Sequence, residues 1–279
     1  PEQPGTYHYS FLVDGVLTPD PSNFAARDWR SFIPWVNVIE IRAAGQRLDH
    51  DPDPAAPHGR VIIEQLASQV QGKQVPLLVY TPAGYEGSGK EYPVVYLLHG
   101  SDGTANQWSS DGRMEHLADN LMAAGSMPES ILVSPDMNLP NLAAAERYMF
   151  TEVLPFVERR YRTAGQRTLL GVSRGGNQAF HLALRRPDLF SALGVFSINL
   201  SALSTQQYDS LKDVPQLNAQ LKVFLYAGGL GDNLIAFPTV QASHDRLTQL
   251  GIAHLFAPFP GDHAWQNWRR LFAEFARML

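Results

Sequence analysis

The sequence predicts an α/β protein with a mostly parallel central sheet flanked by helices, preceded by a short all-β segment. Three observations predict it. From about residue 59 onward, short apolar runs alternate with longer amphipathic ones. Apolar strands separated by helices build a parallel sheet covered on both faces. The first 45 or so residues carry instead an alternating, aromatic-rich pattern of strand type. Finally, 44% hydrophobic and 18% charged residues over 279 positions describe an ordinary globular chain, long enough for one large domain with or without a small appendage.

Taken in order, Tyr7-His8-Tyr9-Ser10-Phe11-Leu12-Val13 reads as a strand, Asp14-Gly15 as a turn, and the following residues as a second short strand ending at Pro19-Asp20-Pro21-Ser22-Asn23. Residues 1–45 are too few for a complete sandwich and read as a partial β-sandwich-like segment. Asp51-Pro52-Asp53-Pro54-Ala55-Ala56-Pro57 can continue neither helix nor sheet, so residues 46–58 read as a linker and 59–279 as the main domain. Within that domain the predicted strands are 61–65, 75–80, 94–99, 131–135, 168–172, 192–196 and 222–227. The predicted helices are 114–124, 149–161, 176–185, 239–250 and 265–278.

Several function classes are disfavoured at once. The net charge is −5 and no basic stripe occurs, which argues against a nucleic-acid partner. With no cysteine there is no disulfide, thiol nucleophile or thiolate metal site. The longest apolar runs are far short of a membrane span. The start at Pro1 rather than Met fits either a removed leader or a shortened chain. Gly84-Tyr85-Glu86-Gly87-Ser88-Gly89-Lys90 imitates a phosphate-binding loop. However, Glu91 stands where Ser or Thr is needed and Tyr92-Pro93 follows in place of a helix, so it reads as a flexible connection. No metal or dinucleotide motif is present, and neither a metal nor a cofactor is expected.

One motif carries chemistry. Gly171-Val172-Ser173-Arg174-Gly175-Gly176 fits G-x-S-x-G, with a predicted strand before it and a helix after it that runs to Pro187. In a nucleophile elbow the serine takes a strained turn, and small residues on either side let strand and helix approach. A serine hydroxyl needs a base, and in this arrangement the acid and then the histidine follow the serine in sequence. Of nine histidines, His263 in Gly261-Asp262-His263-Ala264-Trp265 sits on a loop before the last helix. His244, beside Asp245 and Arg246, reads as part of a solvated helix face, and His254 lies in a short strand-like run. For the acid, Asp232 in Gly228-Gly229-Leu230-Gly231-Asp232 follows a strand; Asp209, Asp213, Asp245 and Asp262 compete. An oxyanion needs two N–H donors. Arg174 supplies one by its position, and Ser101, in the bend after the strand ending at His99-Gly100, is the candidate for the other. His99 reads as a brace for that bend. Trp108, Trp265 and Trp268 are candidate pocket walls, with Trp268 equally suited to the core by its helical spacing.

Tyr80-Thr81-Pro82-Ala83-Gly84-Tyr85, the block from Tyr96 to Gly100, the elbow and the Gly261–Trp265 block together resemble the family known as Putative esterase. That family includes feruloyl esterases, enterochelin esterases, S-formylglutathione hydrolase and the antigen 85 mycolyltransferases. The resemblance covers about residues 58–279 and is nearest to the bacterial feruloyl and related xylan esterases. It implies an α/β-hydrolase fold and a serine carboxylic-ester hydrolase acting through Ser173, His263 and Asp232. The implied substrate is a small or polysaccharide-linked ester, foremost a feruloyl or hydroxycinnamoyl one. It also implies a secreted or periplasmic setting and, for residues 9–23, the end of a glycogen-binding-like sandwich. Arg174 departs from the Met that the feruloyl enzymes often carry there. Other readings remain open: a siderophore or acetyl esterase, an acyltransferase of the mycolyltransferase type, or a carbohydrate-binding protein without catalysis. The oligomeric state is not legible.

Overall fold

The computed structural model describes residues 5–23, 26–28, 35–43, 45, 48–101, 103–200 and 214–279. An eight-stranded sheet forms its centre, in the order β13-β12-β11-β10-β8-β9-β7-β6. Its strands are β6 (Arg60–Ser68), β7 (Lys73–Thr81), β8 (Tyr92–Leu98), β9 (Ile131–Pro135), β10 (Thr163–Val172), β11 (Ala192–Phe196), β12 (Val223–Gly229) and β13 (Leu255–Phe259). Strands β9, β8 and β10 to β13 run parallel, whereas β7 pairs antiparallel with both β6 and β9.

Consecutive side chains in a strand face opposite ways, and each internal strand feeds two cores. Tyr96, Leu169, Leu193 and Phe224 join one core, with Tyr148 and Phe180 from the helices. Leu97, Leu170, Phe196 and Leu225 join the other, with Trp265, Trp268 and Phe272. The helices that cover these faces are α1 (Tyr85–Ser88), α2 (Gln107–Ser110), α3 (Met114–Ala123), α4 (Leu142–Arg147), α5 (Leu154–Arg160), α6 (Arg174–Arg185), α7 (Val214–Gln220), α8 (Phe237–Gln249) and α9 (Trp265–Ala276). No described helix is long and apolar enough to cross a membrane.

The structure departs from the sequence reading in several places. The segment 84–90 contains the short helix α1 and is not wholly irregular. The helix expected at 149–161 begins earlier, at Leu142, where Asn141 Oδ1 accepts from the Ala144 N–H at 2.9 Å. A π-helical turn, Tyr148–Val153, joins α4 to α5, just before Pro155, which has no N–H to give a tighter turn. Strand β13 went unpredicted because Leu255-Phe256-Ala257-Pro258-Phe259-Pro260 carries two prolines. An edge strand tolerates them, and β13 is at the edge. Finally, the single strand read over residues 7–13 divides at Ser10. Its first part belongs to β1 (Gly5–Tyr9), which pairs with β5 (Trp35–Ile41) in a sheet ordered β1-β5-β4, with β4 being Ala26–Asp28. Its second part, β2 (Phe11–Val13), forms a hairpin with β3 (Val16–Thr18). Asp14 and Gly15 make that turn at φ 50° and 82°, the doubly positive pair that matches strand twist.

The N-terminal segment is tied to the main domain by ion pairs and hydrogen bonds. His8 Nε2 lies 3.0 Å from Asp111 Oδ1. Glu40 Oε1 accepts from Arg269 Nη2 at 2.8 Å and Oε2 pairs with His50 Nε2 at 2.8 Å. Arg42 bridges Glu40 to Asp51. The Asn120 amide of α3 donates to the carbonyls of Asp49 and Asp51, both at 2.7 Å. Asp119 holds the domain's opening residues by accepting from the Gly59 N–H and the Tyr80 hydroxyl and by pairing with His58.

Burial alone would raise the Glu40 carboxyl, but His50, Arg269 and Arg42 outweigh it and hold the group below its ordinary value. Arg269 is 2% exposed, and breaking an ion pair made by a buried cation is costly. Glu40→Gln is therefore expected to destabilise the protein by about 3 kcal/mol at pH 7. A depressed carboxyl stabilises above its unfolded range and loses that contribution as pH falls through its folded value. The gap in melting temperature between wild type and Glu40→Gln should thus be full at neutral pH and narrow as the pH falls below the ordinary carboxylate range. A gap unchanged across that range would assign the effect to packing and not to charge.

Candidate active site

Ser173 sits between β10 and α6 at φ 53° and ψ −125°, a conformation that costs a non-glycine residue about 1–3 kcal/mol. The surrounding sequence enforces it. The Ser173 N–H donates to the Phe196 carbonyl at 2.8 Å, anchoring the serine to the end of β11. A Cβ on Gly171 would collide with the Gly175 carbonyl, and one on Gly175 with the carbonyls of Leu98 and His99. The two motif glycines are thus required by backbone contact. A Cβ built on Gly100 would lie 3.9 Å from Ser173 Oγ, so the bend after β8 lies against the serine.

Asp232 and His263 meet across 31 positions: His263 Nδ1 lies 2.8 Å from Asp232 Oδ2. The aspartate is fully buried at its carboxylate, and the imidazole is 10% exposed. Asp232 Oδ1 accepts from the N–H groups of Leu234 (2.9 Å) and Ile235 (2.8 Å). The other oxygen is left to accept from the ring, which places the proton on Nδ1 and the lone pair on Nε2. The two loops are joined by backbone: Leu230 N–H donates to the Phe259 carbonyl at 2.8 Å, and Gly231 N–H to that of Gly261 at 2.9 Å. A side chain on Gly229 would strike Gly261, so the glycine-rich stretch lets the acid loop close on the histidine loop.

Ser173 Oγ makes no hydrogen bond to His263 among the described residues, a separation common in unliganded sites. A short path of contacts joins them. The His263 ring meets Trp268 edge-on at 5.0 Å, and Trp268 Nε1 donates to Ser197 Oγ at 3.0 Å. Ser197 follows β11, beside the Ser173 turn, and is itself at φ 54°. Nothing in the sequence marked Ser197; its value lies in a contact 71 residues away.

The competing acids separate cleanly where they are described. Asp262 is exposed and takes up Asn267, whose Nδ2 donates to its carbonyl and its Oδ1 at 3.0 Å each. Asp245 is exposed on α8 and accepts from Gln241. Asp209 and Asp213 lie outside the described residues. Among the histidines, His244 is not on a solvated face as expected. It is half-buried, stacks on Phe256 at 4.3 Å and 7°, and pairs with His254 at 2.9 Å, because β13 provides an apolar surface under α8. His181 pairs with Glu146. His99 is fixed at both nitrogens: Nδ1 is 2.8 Å from the Gly100 carbonyl, and Nε2 accepts from the Met137 N–H at 2.9 Å. It braces the bend after β8 against the loop after β9.

Ser101 is exposed in that bend, and its N–H enters no hydrogen bond among the described residues. The Arg174 N–H opens α6 and by position has no intrahelical partner. The three tryptophans behave differently from pocket walls. Trp108 is fully buried and packs edge-on to Trp265 at 5.0 Å. It has no surface to offer a ligand, which corrects the wall assignment; an apolar strand face drew it into the core. Trp265 and Trp268 are 5% and 6% exposed. Trp268 backs the His263 ring, and Trp265 packs edge-on against Trp268 at 5.1 Å.

The comparisons with known proteins give the family and the fold. A family model described as "Putative esterase" matches residues 68–279. Among curated proteins, the endo-1,4-beta-xylanase/feruloyl esterase of Xylanibacter ruminicola is 25% identical over 307 aligned residues, which take in all of this chain and 39% of that protein. The chain therefore spans about two fifths of that relative's length. Among solved structures, a CE1 ferulic acid esterase from Anaeromyces mucronatus in complex with ferulic acid superposes with a TM-score of 0.71 at 20% identity, over 85% of this chain and 97% of that one. The feruloyl esterase module from Clostridium thermocellum complexed with sinapinate gives 0.69 at 20% identity, over 86% and 93%. At that identity the structural likeness establishes the fold, which is that of the α/β-hydrolases with a mostly parallel sheet flanked by helices.

Proposed function

The chain belongs to the Putative esterase family, and from that premise we propose that it hydrolyses carboxylic esters through an acyl-enzyme on Ser173. One observation carries the proposal: a serine held at φ 53° between two glycines that cannot bear a Cβ. Strain of this kind persists only where surrounding contacts force it, and here it lifts a hydroxyl to the carboxyl ends of parallel strands. His263 Nε2 takes the serine proton as Oγ attacks the ester carbonyl. Asp232 keeps the imidazole in the required tautomer and stabilises the imidazolium. The Ser101 and Arg174 N–H groups receive the oxyanion. The proton then passes to the leaving alkoxide, and water activated by His263 releases the acid.

For the substrate we propose a hydroxycinnamoyl ester of the kind named in the relatives, a feruloyl ester above all. Methyl ferulate and acetylated xylan, run beside p-nitrophenyl acetate, test this directly. Release of ferulate with a kcat/KM at least about tenfold above that for acetyl release from xylan is the expected result. Turnover of the nitrophenyl ester with none of methyl ferulate would sink the feruloyl assignment and leave ester hydrolysis standing.

A further inference from the structure

We propose that the Arg174 side chain is a specificity-determining group that recognises a carboxylate on the ester substrate. This rests on the reading of Ser173 as the nucleophile, and it goes beyond it by assigning a charge to what the site selects.

Three observations lead there. First, Arg174 immediately follows Ser173 and is half-buried at the start of α6. Its guanidinium Nη2 donates to the Leu139 carbonyl in the loop after β9. The strand order puts β8 and β9 on one side of β10, and β12 and β13 on the other. The cation therefore extends to the side of Ser173 opposite to Asp232 and His263. Second, it is aimed by a rigid partner. The loop holding Leu139 is pinned by the Met137 N–H to His99 Nε2 (2.9 Å), by Asn138 Nδ2 to the Gly103 carbonyl (2.7 Å), and by Gln178 Nε2 to the Met137 carbonyl (3.1 Å). Third, the charge has no counter-ion among the described residues. Arg174 forms no ion pair among the described residues, and Asp136 in the same loop is fully buried, with Oδ1 occupied by the N–H and amide of Asn138. By contrast Arg167, Arg186 and Arg269 each meet a carboxylate.

A guanidinium has five N–H donors in a planar fork that matches a carboxylate. A single carbonyl uses little of that capacity. A half-buried cation is screened less than one in open water, so an anionic group arriving there gains more than it would on the surface. A hydrogen bond to a charged partner of this kind corresponds to about a tenfold preference or more.

Two matched ester pairs test the idea and separate the halves of the substrate. The acyl arm compares p-nitrophenyl hydrogen succinate with p-nitrophenyl butyrate. The alcohol arm compares 4-acetoxybenzoate with methyl 4-acetoxybenzoate. The readout is the ratio of kcat/KM, anionic over neutral, so that any general loss of rate cancels. In one arm Arg174→Met is expected to lower that ratio at least about tenfold relative to wild type, Arg174→Lys to retain part of it, and added salt to lower it in wild type but not in Arg174→Met. A ratio unchanged in both arms would mean that Arg174 merely straps Leu139, and the proposal would fall. A second measurement needs no turnover: calorimetric binding of 4-acetoxybenzoate, hydrogen succinate monoester and their neutral counterparts to Ser173→Ala protein. An anionic preference of about tenfold that vanishes in Ser173→Ala/Arg174→Met supports the proposal, and equal affinities overturn it. If the wild type cleaves no ester, the esterase reading has failed by itself, and this binding result still decides the role of Arg174.

Discussion

Ser173→Ala is expected to lower kcat/KM for p-nitrophenyl acetate by about 10⁴-fold or more. In the proposed mechanism the hydroxyl forms the acyl-enzyme, whereas the proposed oxyanion donors are backbone N–H groups and survive the substitution. A residual rate above the uncatalysed one is therefore part of the expectation. The backbone strain provides an independent signature. At φ 53°, alanine relieves nothing, but glycine is at home there. Ser173→Gly should be as inactive as Ser173→Ala and should melt higher, by about 1 kcal/mol of added stability. Equal ester turnover in wild type and Ser173→Ala would end the nucleophile assignment. A lower melting point for Ser173→Gly than for Ser173→Ala would end the strain argument.

Asp232→Asn is expected to reduce kcat about 10⁴-fold with little change in KM or in the melting curve. The reason lies in how the carboxylate is held. Oδ1 accepts from two backbone N–H groups, and an amide replacing it must keep its oxygen at that position. Its NH₂ is then forced toward His263 Nδ1, which must accept in place of donating. The ring takes the opposite tautomer, and Nε2 carries a proton where it needs a lone pair. Turnover within about tenfold of wild type would move the acid to another residue, with Asp262, Asp209 and Asp213 the next to substitute.

The parts of this site that were legible in the sequence are those in which cause and effect are close along the chain. The elbow is one in part: Gly171 and Gly175 meet through backbone atoms within a single turn, although Gly175 is also pressed by the carbonyls of Leu98 and His99. The strand faces are another, since Tyr96 and Leu97 must point opposite ways whatever surrounds them. The order serine, acid, histidine, together with a loop setting before the last helix, singled out His263 among nine histidines. It ranked Asp232 ahead of Asp262, but the separation came from hydrogen bonds, with Asn267 occupying Asp262 and His263 meeting Asp232. Trp108 shows the opposite case. Its place after the bend suggested a pocket wall, and only the packing of α9 against α3 and the sheet buried it.

By itself, then, the sequence determined the fold class, the strained serine and the candidate set, because periodicity and steric exclusion are local properties of the chain. The tertiary structure decided everything that depends on which distant groups meet. It joined Asp232 to His263, set Trp268 between His263 and Ser197, and brought Glu40 to Arg269 across 229 positions. Among the described residues it also gave Arg174 no carboxylate partner. Charges and hydrogen bonds act over a few ångströms in space with no regard to separation along the chain, so their partners exist only once the chain has closed.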